Sequence, residues 1–239
     1  MKLEIPSTMY RALFVTVALL SACRSPSPEA SGPELLDAAH RALGITDTIK
    51  TILTVATVES PSGGFDARIA SATDGRVHLT MGSSLVAGVD FGTGWSCDAD
   101  GTAMPLDSVT RSVVRGHDLH MLVVSPRWMA APVRDADRRW GADSVMSLRF
   151  TDELGAPLLM HLRITDSVPV GLDVVNHTGS GPREVRVVFD DWQEHGAVRF
   201  FRRATFEHGG NRFVYSYAKP DVNTLGDSSF RSACVSKGR

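Results

Sequence analysis

The 239 residues are 43% hydrophobic and 22% charged, with a net charge of −2. Such a chain is long and apolar enough for one sizeable core, which excludes an intrinsically disordered protein. No clustered positive excess marks it for nucleic acid, so that class of partner is not expected.

Met1 to Arg11 carries Lys2 and Arg11 as a weakly basic start, and Ala12 to Leu20 is an apolar core. A core of about nine residues suits a secretory signal and is well short of the roughly 20 that cross a bilayer as a helix. It closes on Leu20-Ser21-Ala22-Cys23, which resembles the lipobox of bacterial lipoproteins, where the cysteine becomes the lipidated first residue of the mature chain. The resemblance implies loss of residues 1–22 and membrane attachment through acyl chains on Cys23. The alternative is an ordinary signal peptide or uncleaved anchor with a chance cysteine. Arg24 in place of an aspartate resembles lipoproteins released toward the outer membrane, which implies an anchored, periplasm-facing protein of the cell envelope. With Cys23 consumed by lipid, Cys97 and Cys234 remain, either as a disulfide or as two separate thiols; spacing does not decide between them.

Residues 23–32 are rich in Ser, Pro, Ala and Gly without periodicity and read as a lipidated tether. Pro33 then suits the first turn of a helix, Leu35, Leu36, Ala39 and Leu43 form one apolar stripe, and Gly44 supplies the stop. From Ile49 the period changes from 3.6 to 2. Phe65, Ala67 and Ile69 alternate with Asp66 and Arg68, and Val77, Leu79 and Met81 alternate with Arg76, His78 and Thr80. Turn sequences at Ser62-Gly63-Gly64, Thr73-Asp74-Gly75 and Gly82-Ser83-Ser84 predict an antiparallel meander, with further strands at Leu85 to Phe91 and Gly94 to Cys97. Val109, Val113, Val114 and Leu119 predict one helix over Asp107 to Val124, weakened by Gly116. Arg127 to Gly141, with its mixed charges, predicts a solvated loop pinned by Trp128 and Trp140. Strand periodicity returns at Val145 to Thr151, Leu158 to Ile164, Val170 to Val175, Val185 to Asp190, Val198 to Glu207 and Arg212 to Ala218. Eleven or so strands, two helices and no βαβ alternation make a mainly β, α+β fold with one large antiparallel sheet against helices.

The run Val187-Val188-Phe189-Asp190-Asp191-Trp192-Gln193-Glu194-His195-Gly196-Ala197-Val198-Arg199-Phe200 resembles the closing hairpin of LolA-like and LolB-like lipoprotein-localisation factors. Asp221-Val222-Asn223 and Asp227-Ser228-Ser229-Phe230 are similar to that family's ending. Asp143 to Phe150 departs from it, standing where a Gly-x-x-x-Tyr-x-Leu stretch is common. The resemblance spans residues 33–230, with 231–239 as a tail. It implies a curved, incomplete antiparallel β-barrel with helices against the concave face and a hydrophobic cavity that takes an acyl chain or other apolar ligand. For that cavity the middle of the chain offers Trp95, Met121, Leu122, Trp128 and Met160. The apolar alternation equally suits an ordinary filled core, with the sheet a scaffold for an envelope protein partner.

The sequence has no Gly-x-Ser-x-Gly, Gly-x-x-x-x-Gly-Lys or His-Glu-x-x-His, so no enzyme, cofactor or metal site is expected from motifs. Asp90-Phe91-Gly92 reads as a strand end. His117 and His120 share a predicted helix face but lack further ligands, and Asp98 and Asp100 before Gly101 read as a turn. Asp190 and Asp191 should point to opposite faces, with Asp191 as a turn residue before Trp192. A hydrolase would instead have to show a convergent Ser, His and Asp set in a cleft.

Overall fold

The computed structural model describes residues 29–83, 85–178, 181–232 and 234. The signal-like run and Cys23 lie outside the described residues. The first helix, α1 (Gly32–Leu43), forms where expected. Glu34 reaches back to accept from the Ser31 backbone N–H at 2.7 Å, satisfying a donor that the helix start leaves open. Gly44 ends it at φ 67°, and a Cβ at that position would collide with the Ala197 carbonyl. Glycine therefore serves both the left-handed turn and a close approach.

Six strands follow: β1 (Thr51–Ser60), β2 (Gly63–Ala72), β3 (Val77–Met81), β4 (Leu85–Asp90), β5 (Thr93–Cys97) and β6 (Ala103–Pro105). The predicted single helix over Asp107 to Val124 is instead two, α2 (Ser108–Gly116) and α3 (Leu119–Val124). The chain breaks at His117-Asp118 because the Asp118 carboxylate accepts from the Met121 N–H at 3.3 Å, capping a new helix rather than continuing the old one. The strands then resume as β7 (Val133–Trp140), β8 (Asp143–Thr151), β9 (Pro157–Arg163), β10 (Pro169–Thr178), β11 (Gly181–His195), β12 (Val198–His208), β13 (Asn211–Tyr217) and β14 (Asp221–Val222), ending in a 3-10 turn at Asp227–Phe230.

These fourteen strands form one antiparallel sheet in the order β6-β5-β4-β3-β2-β1-β13-β12-β11-β10-β9-β8-β7, with β14 added against β1. The expected loop over Arg127 to Gly141 is therefore largely an edge strand. Its charges are what an edge needs: Arg134, Asp135, Asp137, Arg138 and Arg139, with a register shift between Asp135 and Arg138, discourage pairing with another sheet. The opposite edge, β6, is three residues long and ends in Pro105.

The sheet is curved and open, not closed into a barrel. Val58 and Ala67 from one half and Leu148, Phe150 and Met160 from the other join one core with Leu35 and Leu43 of α1 and Leu119 and Leu122 of α3. Strands far apart in the sheet can touch the same helices only if the sheet wraps around them. Among these, Leu35, Leu43, Val58 and Leu148 have no exposed surface. The concave face is thus packed with side chains. α2 lies over β4 through Val114 and is tied to the β8–β9 turn by Ser112 Oγ donating to Asp152 at 2.8 Å and Arg115 beside Glu153 at 3.2 Å.

The long hairpin β11–β12 contains the fold's main irregularity. Asp191, expected in a turn, sits inside β11 at φ 55°, and opposite it the alternation of β12 breaks so that Phe200 and Phe201 are both buried. The twist at Asp191 lets Trp192 pack with Phe201 against the helices.

The other face of β1 to β5 is crossed by the C-terminal segment. Asn223 Oδ1 accepts from the Lys50 and Thr51 amides at 2.7 and 3.2 Å, Arg76 pairs with Asp227 at 2.9 Å, Phe230 is buried against Ala70 and Ala72, and Cys97 is disulfide-bonded to Cys234.

Candidate binding groove

Leu35, Ala39 and Leu43 of α1 face the core, which leaves Leu36 and His40 at its margin, flanked by Asp37 and Arg41. After α3 the chain turns at Pro126, where the Met129 amide donates to the Pro126 carbonyl at 2.9 Å, and runs beside α1 to Pro132; the Ala130 amide donates to Thr151 at 3.0 Å. Between α1 and residues 125–132 lies an open groove of about 590 Å³. Leu36, Ile45, Ile49, Val124, Met129 and Phe150 give it an apolar floor, and Asp37, Arg41, Asp47 and Arg127 stand around its lining.

His40 reaches the Val123 carbonyl with Nε2 at 3.2 Å, and burial holds its pKa below the ordinary value, so its imidazole is neutral. The Ser125 hydroxyl in the wall is buried without a partner among the described residues. Arg127 lies 3.6 Å from Asp47, but both are exposed, so the pair adds little stability and is free to rearrange around a ligand. The groove is of the size that holds one small apolar ligand, about 300–1,000 Å³. Among the described residues, the Ser125 hydroxyl makes no hydrogen bond to His40 or to a carboxylate of the lining.

None of the five residues offered for a cavity lines this groove. Leu122 and Met160 are in the central core, and Met121 packs one layer behind the groove with Ile49 and Val124. Trp128 lies in the segment 125–132, its ring 5.5 Å from the Arg115 guanidinium. Trp95 faces away from the helices: Ala87 and Val89 pack under Val114, so Gly88 and its partner Trp95 point to the other side, where Trp95 meets His78 at 5.1 Å. A larger hollow of about 830 Å³ lies on the outer face over β9 to β13. Its cross-strand row Asp173, Arg186, Glu207, Arg212 alternates in charge, so it is less suited to an apolar guest than the groove.

Two clusters bear on chemistry elsewhere. His117 and His120, expected on one partly exposed helix face, lie on either side of the helix break, and His120 is buried, stacked on Phe201 at 3.9 Å with Nε2 3.1 Å from the Phe201 carbonyl. Among the described residues no group of three or more His, Cys, Asp or Glu side chains is placed to hold a metal ion. Burial lowers His117 to about 4 and His120 to about 3, and raises Asp118 to about 7. On unfolding, each imidazole takes up a proton once the pH is below about 6.5, so stability falls as pH drops from there toward the folded-state value. Asp118 acts in the opposite sense, because its unfolded carboxyl ionises above about 3.9 while the folded one stays protonated to about 7. Two groups outweigh one, and the lowered His40 and His161 add to the same side. Urea denaturation across pH 4.5–8 is expected to show greatest stability near pH 7, declining toward acid by roughly 1 kcal/mol per unit; a flat profile between pH 5 and 6.5 would contradict the lowered pKa of these histidines.

The second cluster is Ser147, His161 and Asp173. The Ser147 hydroxyl donates to His161 Nδ1 at 2.9 Å, and His161 Nε2 donates to Asp173 Oδ2 at 3.1 Å. These are the residue types of a hydrolytic triad, but of the three only Asp173 lines the hollow on the outer face, and Ser147 and His161 lie beneath it. Ser147 and His161 have no exposed surface, Trp140 covers the imidazole at 4.1 Å, and Arg186 lies 4.3 Å over the indole. Ser147 is also mid-strand, paired with His161, so its amide is not part of a donor pair aimed at an oxyanion. The set is a satisfied buried network.

The fold so defined is that of the LolA-like proteins: a long, curved, open antiparallel sheet around a few helices. A LolA superfamily protein of Nitrosomonas europaea superposes with a TM-score of 0.62 over 84% of this chain and 98% of its own, at 12% identity. A putative outer membrane lipoprotein-sorting protein domain of Vibrio parahaemolyticus gives 0.58 over 84% and 97% at 8% identity. A DUF1329 family protein of Desulfovibrio piger gives 0.57 over 84% and 95% at 12% identity. At these identities the likeness is one of fold. No family model matches the chain, and no curated protein matches it in sequence.

Proposed function

We propose that this is a non-enzymatic, lipid-anchored protein of the cell envelope, facing the periplasm from the outer membrane, that holds an apolar chain in the groove between α1 and residues 125–132. The observation that carries the reading is the apolar floor of an open groove of about 590 Å³ in a domain whose concave interior is otherwise filled. The lipobox-like Leu20 to Cys23 and the LolA-like fold support the setting. Lipid or lipoprotein trafficking is the role that such binding would serve. Burying ten methylene groups in an apolar groove is worth about 8 kcal/mol before the costs of association, so affinity in the micromolar range, about 8 kcal/mol net, calls for a longer buried chain or for polar contacts to its head group as well.

The mature chain carrying Cys23→Ser is expected to bind a fluorescent fatty acid saturably at one site. Leu36→Asp, which places a charge on the groove floor, is expected to weaken that binding at least tenfold while leaving the circular dichroism spectrum unchanged. Absence of saturable binding by the parent protein would count against the reading. The filled concave face favours a second reading, in which the sheet is a scaffold for an envelope protein partner and the groove a surface feature. Equal affinity for the probe in the parent and Leu36→Asp would favour that one.

A further inference from the structure

The root of the N-terminal tether and the groove share a wall. Ala30 is only 9% exposed and packs in the central core, and its carbonyl accepts from Arg134 Nη1 at 3.3 Å. Gly32 lies so close to the Pro132 carbonyl that a Cβ would not fit between them. Pro132 and Ala131 line the groove, and Leu36, one turn along α1 from Gly32, is part of its floor. The tether therefore enters the domain beside the groove. Five residues lie between Cys23 and Glu29, so the six steps of chain bound the Cys23 Cα to within about 22 Å of the Glu29 Cα whatever path the chain takes.

The geometry points to an occupant supplied by the molecule itself: an acyl chain on its own Cys23. This rests on the binding role proposed for the groove and on lipidation of Cys23. A guest tied to its host by a linker this short acts at an effective concentration in the millimolar range. A free amphiphile of micromolar affinity must compete with it. One acyl chain alone holds a protein to a bilayer only marginally and two hold it firmly, so a cysteine bearing several chains can lend one to the groove and stay anchored. The anchor then closes the groove until an external apolar chain displaces it, and the lipidated protein binds such a chain more weakly than the unlipidated one.

With Cys97 and Cys234 joined, Cys23 of the mature chain is available for selective alkylation under non-reducing conditions. The experiment attaches to it a maleimide bearing a twelve-carbon chain with a terminal dansyl group. Insertion predicts emission that is blue-shifted, shielded from iodide and unchanged on dilution. Leu36→Asp blocks the floor and Ala131→Trp fills the groove from its exposed rim without touching the core; both are expected to return the dye to water. Emission and iodide access equal to those of a peptide of residues 23–32 carrying the same label would overturn the inference. If the label stays exposed while the Cys23→Ser protein still binds a free fatty acid, self-occupancy fails and the binding role stands. If neither the label nor the free fatty acid is taken up, both fall.

Discussion

Replacing Phe201 by alanine is expected to cost about 3–5 kcal/mol of folding stability. The ring has no exposed surface and sits where four elements meet: stacked on His120 of α3 at 3.9 Å and on Phe189 of β11 at 4.4 Å, with Trp192 and Tyr217 edge-on at 5.5 and 5.6 Å. Truncation removes the dispersion contacts of all four neighbours and leaves a cavity that paired strands cannot close by moving. It also uncovers the His120 imidazole, whose neutral state depends on that burial. For a domain of this size the melting temperature should fall by roughly 10 °C. Phe91, 73% exposed at the β4–β5 turn, provides the contrast: Phe91→Ala should change stability by no more than about 0.5 kcal/mol. Thermal and urea unfolding of the two variants side by side distinguish burial from residue type. Similar small effects from both would contradict the packing described.

Removing the Cys97–Cys234 bond is the second large effect. The bridge spans 137 residues, so it withdraws much of the freedom of the unfolded chain, and its loss is expected to cost about 2–5 kcal/mol. The C-terminal segment should nonetheless remain docked. Asn223 bonds the amides of Lys50 and Thr51, Phe230 is buried against Ala70 and Ala72, and Asp227 pairs with Arg76. Hydrogen exchange on Cys97→Ala/Cys234→Ala should therefore show fast amides near Arg231 to Cys234 and continued protection at Lys50 and Thr51. Unchanged urea stability, or loss of protection at Lys50 and Thr51 together with the tail, would contradict this division of labour.

The sheet was legible wherever one face is wet. Ala67 and Leu79 alternate with the polar Asp66, Arg68, His78 and Thr80 because the two faces of their strands meet different surroundings. β7 was not legible, because an edge strand protected by Arg134, Asp135, Asp137, Arg138 and Arg139 has the composition of a loop. The helix break was half visible: Gly116 weakened the prediction, but Asp118 as a cap competes with Asp118 as an interior residue, and only packing of α3 against Phe200 and Phe201 selects the cap. The resemblance in the closing hairpin led to the correct fold, although its Asp191 proved to be a twist within a strand.

The groove was the least legible part, for a physical reason. Leu122 and Met160, offered from the middle of the chain, are large apolar side chains that fill the core, where no space is left. The groove is built where packing stops, from Leu36 at the margin of a helix stripe, Ile45 and Ile49 in the following turn, and a segment bounded by Pro126 and Pro132. The available signal was that proline-bounded segment without periodicity, together with a leucine at the margin of the α1 stripe, one position on from Leu35.

The most direct test of the groove as the binding site is photo-crosslinking with a diazirine fatty acid on the Cys23→Ser mature protein, followed by mass-spectrometric mapping. The expected adducts fall on Leu36 to Ile49, Val124 to Pro132 and Phe150, and unlabelled fatty acid suppresses them. Adducts confined to the outer face over β9 to β13, or labelling that unlabelled fatty acid does not reduce, would contradict the account.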